Sequence, residues 1–155
     1  MKKSKVTAGF ITLTAAWLLA SNAQAAMPYN VCVSLSQGAD QMNQQFPMTV
    51  GRGQASSAGV IYATTYTRVE VNCDEGAVVF HLKMADADMP ESVGKSQMAS
   101  EIERYSRPQI CRDGGFVRRW GVNETRNIST RDGTAWHSFT VTPEDCGRSA
   151  RSYYP

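Results

Sequence analysis

The chain has 155 residues with 16 basic and 14 acidic side chains, a net charge of +2, and hydrophobic and aromatic shares of 42% and 9%. That size and balance fit a single folded unit and exclude a disordered or low-complexity chain. Lys2, Lys3 and Lys5 sit at the very start, so the rest holds thirteen cations against fourteen acids, and net charge gives it no pull toward nucleic acid or anionic lipid.

Those lysines precede an apolar run from Val6 to Ala20 and the small residues of Ala23-Gln24-Ala25, the pattern of a secretory signal peptide over 1–25. The run is too short for the roughly 20 residues that cross a bilayer, so the expectation is a soluble, Sec-exported periplasmic protein of bacterial style beginning near Ala26. A lipid anchor would need a cysteine just after the run, and the first is Cys32, in "PYNVC".

In "SLSQGADQMNQQF" the spacing of Leu35, Ala39, Met42 and Phe46 predicts a helix capped by Ser36 and ended by Pro47. "MTVGRGQASSAGVIYATT" reads as one or two strands broken by Gly51, Gly53 and Gly59. A phosphate cradle at "GRG" would need a following helix, so a bulge or turn is the reading. "YTRVEVNC" and "AVVFHLKM" alternate as strands on either side of "DEG", a hairpin with Gly76 free for positive φ. The loop "ADADMPESVGKS" carries Asp86 and Asp88 without the further ligands that calcium needs. A second helix over "SQMASEIERYSRPQIC" puts Met98, Ile102 and Tyr105 on one face, with Ser96 as cap and Pro108 near its end. "VNETRNIST", "RDG" and "TAWHSFTVT" form a last hairpin, with Ala135, His137, Phe139 and Val141 on one face and Trp136 on the other. The tail 147–155 has no periodicity and is expected to be mobile.

The expected fold class is α+β: an antiparallel sheet of four to six strands packed against two helices, as one domain over 26–146. One sheet face is covered and the other partly open.

Four widely spaced cysteines, Cys32, Cys73, Cys111 and Cys146, fit neither a zinc site nor a C-x-x-C redox pair, and an even count in an exported chain reads as two disulfides. Three connectivities are open, and the one that closes each half of the chain on itself joins Cys32 to Cys73 and Cys111 to Cys146. No G-x-S-x-G or H-E-x-x-H is present, and His81 and His137 read as ordinary strand residues. Glu101, Glu103, Glu144 and Asp145 read as solvated acids. No catalytic residue, metal or cofactor is therefore expected.

"QMNQQFPMTVGRG", a hairpin, a helix leading to Cys111, then Gly121-Val122, Asp132-Gly133 between strands and a closing Cys146 together resemble the small β-containing pilotins of type II secretion. The resemblance spans roughly 36–146. It implies a Cys111–Cys146 bridge and a non-catalytic job: binding the C-terminal segment of an outer-membrane secretin and helping it assemble. This chain departs from the family in having no lipidated cysteine and in carrying Cys32 and Cys73.

The expected function is a chaperone-like binding factor for a secretion or conjugation machine, holding a peptide of a secretin or channel subunit in a groove beside the first helix with Met42, Phe46 and the neighbouring strand. The rival is a secreted inhibitor or immunity protein that contacts an enzyme through Arg118, Arg119 and Trp120, residue types common in binding hot spots.

Overall fold

The computed structural model describes residues 26–55, 61–84 and 95–147. Its elements in chain order are α1 (Tyr29–Asn43), β1 (Met48–Ala55), β2 (Ile61–Asn72), β3 (Ala77–Met84), α2 (Lys95–Ile110), α3 (Phe116–Trp120), β4 (Asn123–Ser129) and β5 (Ala135–Val141). The signal segment 1–25, Gly59, Asp86, Asp88 and the tail beyond Gly147 lie outside the described residues.

The class is α+β, with five strands in the order β1-β2-β3-β4-β5. Three of the four pairings are antiparallel, but β3 and β4 run parallel, with Ala77 opposite Asn123 and Lys83 opposite Ser129. An all-antiparallel sheet was expected. The parallel pair arises because the long connection carrying α2 and α3 returns the chain to the same end of the sheet, as parallel neighbours require.

Two bulges decide which side chains reach the core. The β2–β3 register shifts between Tyr66 and Arg68, so Tyr66 faces the same side as Val69 and Val71, against the strict alternation expected. The β4–β5 register shifts between Ile128 and Ser129, and Trp136 turns inward to 7% exposure while Ala135 is left outside. This corrects the expected outward Trp136. Gly76 closes the β2–β3 hairpin at φ 60°, a conformation that costs a residue with a Cβ.

The helices cover the face that carries Val78, Phe80, Leu82 and Met84 of β3 and Phe139 and Val141 of β5. Val31, Leu35 and Ala39 of α1, Met98 and Ile102 of α2, and Val117 of α3 fill one core against it. Burying each of the larger chains contributes about 1.5–3 kcal/mol. The opposite face is polar: Thr49 bonds Thr65, Thr125 bonds Thr140, Ser138 bonds Asn127, and Glu70 joins Arg68 and His81.

The first helix starts seven residues before Ser36, which lies inside it rather than capping it. Pro28 stands at the boundary, its carbonyl accepting from the N–H groups of Val31 and Cys32, and the apolar spacing of Leu35 and Ala39 continues back to Val31. The helix ends at Asn43, so Phe46 lies beyond it, joined to Pro47 by a cis peptide bond. In α2, Ser96 again sits inside the helix and Pro108 falls in its last turn.

Disulfides join Cys32 to Cys73, tying the first turn of α1 to the β2–β3 turn, and Cys111 to Cys146, tying the end of α2 to the turn after β5. The Cα atoms are 5.5 and 5.1 Å apart.

Candidate functional site

The helices leave part of the covered face unfilled. Between the end of α1 and the end of α2 runs a cleft with two lobes, one of about 380 Å³ and one of about 100 Å³. Val50, Tyr66, Gln109 and Arg126 line both, so the two lobes adjoin along one groove wall.

Its first wall is Met42, Gln45, Phe46 and the start of β1 with Met48 and Val50. This wall is fixed where β1 stops pairing with β2, at Met48 opposite Tyr66. Beyond that point the edge of β2 has no strand beside it, and the Asn43 side chain takes the place of one. Asn43 Nδ2 donates to the Val69 carbonyl at 2.9 Å, and the Val69 N–H donates to Asn43 Oδ1 at 2.8 Å. An amide that both donates and accepts is the side chain that can copy a strand's backbone here.

The second wall is α2, with Ile102, Tyr105 and Ser106, followed by the segment from Ile110 to Phe116. That segment is tightly turned: a Cβ on Gly115 would lie 2.5 Å from the Ile110 carbonyl oxygen and 3.1 Å from that of Arg112. The wall is held to β5 by His137, whose Nε2 lies 2.8 Å from Glu103 Oε1, and to the turn after β5 by Arg107, 3.5 Å from Asp145 and, within α2, 3.3 Å from Glu103.

Four aromatic rings cross the floor from one wall to the other. Phe46 stacks on Tyr66 at 6.0 Å, Tyr66 meets Phe80 edge-on at 5.6 Å, and Phe80 contacts Phe116 at 5.7 Å. Such pairs add to their burial and hold the floor in one shape. Beside them on β4 lie Glu124 and Arg126, with Arg126 Nε donating to Glu124 Oε1 at 3.0 Å. Burial pushes the Glu124 carboxyl above the ordinary glutamate range, with Arg126 and then Arg112 pulling it partway back. Burial also raises the Tyr66 phenol, against the pull of Arg126.

Met42 and Phe46, singled out from the sequence, both stand on the first wall. Arg118, Arg119 and Trp120 are on α3 and do not line the cleft. Arg118 donates to Asp113 at 2.9 Å and to the Cys146 carbonyl at 3.0 Å, Arg119 lies over the Trp120 ring at 5.4 Å, and Trp120 packs against the core. The sequence reading named the strand after Phe46 only as a whole and Tyr105 only as a helix-face residue, and it gave Tyr66, Glu124 and Arg126 no part in the site. The available signal was two ionisable residues at i, i+2 with Ile128 next on the same strand face, a charged pair where a core stripe was due.

Among the described residues no group of three or more His, Cys, Asp or Glu is placed to hold a metal ion, and no helix is long and apolar enough to cross a membrane.

No protein-family model and no curated protein matches the chain. Among solved structures it is similar to the pilotin AspS of the Vibrio cholerae type II secretion system, with 13% identity, 76% of this chain and 93% of that chain covered, and a TM-score of 0.49. It is also similar to the pilotin EpsS of the Vibrio vulnificus type 2 secretion system, with 16% identity, 76% of this chain and 92% of that chain covered, and a TM-score of 0.54. The likeness to EpsS spans nearly the whole of that protein, and the fold of this chain is pilotin-like.

Proposed function

We propose that the protein is an exported, periplasmic and non-enzymatic binding factor that helps assemble a cell-envelope secretion or conjugation machine, holding a peptide segment of a secretin or other channel subunit in the cleft between α1 and α2. One observation carries this reading. Of the four large apolar side chains exposed among the residues whose side chains the structure describes, Met48, Val50 and Tyr105 stand on the cleft and Tyr29 does not. Exposed apolar groups gathered at one concave place mark a docking surface, whereas scattered ones mean nothing. Met42 and Phe46 add half-buried anchors on the same wall, and a groove beside a helix is a common seat for an apolar peptide. Two disulfides suit an oxidising compartment, and the pilotin-like fold supports the secretion setting.

The test is chemical crosslinking in the native envelope, purification of the mature protein and mass spectrometry of what comes with it. A channel subunit should co-purify with the wild type and be lost with Phe46→Asp. Recovery of no envelope transport component would sink the proposal. Capture of a hydrolase or toxin, abolished by Arg118→Ala with Arg119→Ala, would move the function to inhibition through α3.

A further inference from the structure

A cleft that takes only apolar side chains has no use for ions on its floor, yet Arg126 and Glu124 stand there with side chains only 13% and 5% exposed. Each guanidinium has three nitrogens to satisfy, and Arg126 uses one, Nε, on Glu124. Nη1 and Nη2 bond to no described residue, and Arg126 lines both lobes of the groove. A guanidinium cannot shed its proton to escape burial, so a ligand that displaced water from those nitrogens without replacing its hydrogen bonds would be penalised. Among the described lining residues the remaining charged side chain is Arg112, and with it cations outnumber anions there by two to one. Glu124 is already engaged. What the fork lacks is a second carboxylate, which fits two parallel N–H groups better than any neutral acceptor.

Resting on the reading of the cleft as a peptide groove, we infer that the bound segment is an apolar peptide carrying one Asp or Glu whose carboxylate docks on Nη1 and Nη2 of Arg126. Arg126 lines both lobes, with Phe46 and Phe116 in the larger and Met84 and Ile102 in the smaller. The acid is therefore flanked by apolar residues on both sides, one set for each lobe.

The probe is a library of random linear peptides displayed on phage and selected on the disulfide-intact mature protein. The expected consensus has one acidic position between apolar ones, and the synthetic consensus peptide should lose affinity about tenfold when that acid is replaced by its amide, as for a lost charged hydrogen-bond pair. Arg126→Met should cause the same loss, and combining it with the amide peptide should cost little more, since one interaction is removed once. Because Arg126→Met leaves Glu124 buried without its partner, the double variant Glu124→Gln with Arg126→Met serves as a folded control, checked by thermal melting. Apolar peptides selected with no acidic position, or an acid preference that survives Arg126→Met, would overturn the inference and leave the groove standing. No selected peptide at all, or peptides indifferent to Phe46→Asp, would overturn the groove reading and the inference with it.

Discussion

The α1 wall of the cleft is hung on the sheet by neutral hydrogen bonds to backbone, from Asn43 to Val69 and from the Met27 N–H to the Cys73 carbonyl at 2.8 Å. The α2 wall is hung on β5 and the turn after it by ionisable side chains, Glu103, Arg107, His137 and Asp145. Each wall has one disulfide, but they act at different places: Cys32–Cys73 lies at the end of α1 remote from Met42 and Phe46, while Cys111 directly follows Ile110 in the lining itself. A rigid groove can thus have one wall that is indifferent to salt and one that is not, and perturbing each in turn tells which wall the ligand depends on.

Removing the bridges should give the largest effects. The loops they close span 41 and 35 residues, and the chain-entropy account gives each about 4 kcal/mol, nearly the same for both. Cys32→Ala with Cys73→Ala and Cys111→Ala with Cys146→Ala should then lower urea midpoints by similar amounts, but only the second pair should also abolish binding of a groove peptide by the folded fraction. Equal loss of binding in both would mean that the groove's shape does not depend on the local anchor. Next comes Gly115→Ala, whose new methyl would press on two carbonyl oxygens of rigid backbone. It should cost about 2–3 kcal/mol as overpacking and weaken peptide binding, and a crystal structure of the variant should show the Ile110–Phe116 wall displaced.

The elements of the fold were legible wherever a periodic pattern ran unbroken. The hairpin turns at Gly76 and Gly133 and the Met98 and Ile102 stripe of α2 follow from spacing, whereas the cysteines read as two disulfides with three connectivities open, of which the half-by-half one is the one the structure shows. The parts that were not legible depend on contacts between distant segments. Nothing local marks β4 as a parallel neighbour of β3, and a bulge that swings Tyr66 or Trp136 to the other face leaves no trace in alternation, because it is set by the partner strand. Asn43 reads as a polar helix end until the strand edge it satisfies, 26 residues away, is known. The first wall was within reach because Met42 and Phe46 extend an apolar stripe past the helix, whereas the floor is assembled from β2, β3 and β4 and exists only in three dimensions.

Asn43→Ala is the corresponding break in the first wall. It strands the part-buried N–H and carbonyl of Val69, at a cost of about 2 kcal/mol, and the loss should be the same at low and high salt. Glu103→Gln is the break in the second, worth about 1 kcal/mol because its partners are partly exposed, and that loss should shrink as added salt screens the wild-type pairs. A salt-dependent Asn43→Ala, or a salt-independent Glu103→Gln, would erase the distinction between the walls.

The smallest effect sharpens the comparison between the floor and the rim. Burial raises the carboxyl of Glu124, so the folded chain holds that proton more firmly than the unfolded chain does. Glu124 therefore adds stability below the ordinary glutamate pKa of about 4.3, and that contribution is lost as pH rises through the raised folded value. Asp132, in the exposed β4–β5 turn, runs the other way. The Thr130 hydroxyl and the Thr134 N–H hold it at about 2, so its contribution is present above the ordinary aspartate range and lost as pH falls toward 2. Glu124→Gln keeps an oxygen for Arg126 Nε and removes the titration, so as pH rises from about 4.3, the ordinary glutamate pKa, toward 7 its melting temperature should change less than that of the wild type. Asp132→Asn should leave that span unchanged and flatten the acid limb instead. If Glu124→Gln keeps the wild-type slope, burial on the floor is not what governs that carboxyl, and the Glu124–Arg126 pair is as open to water as the acids on the rim.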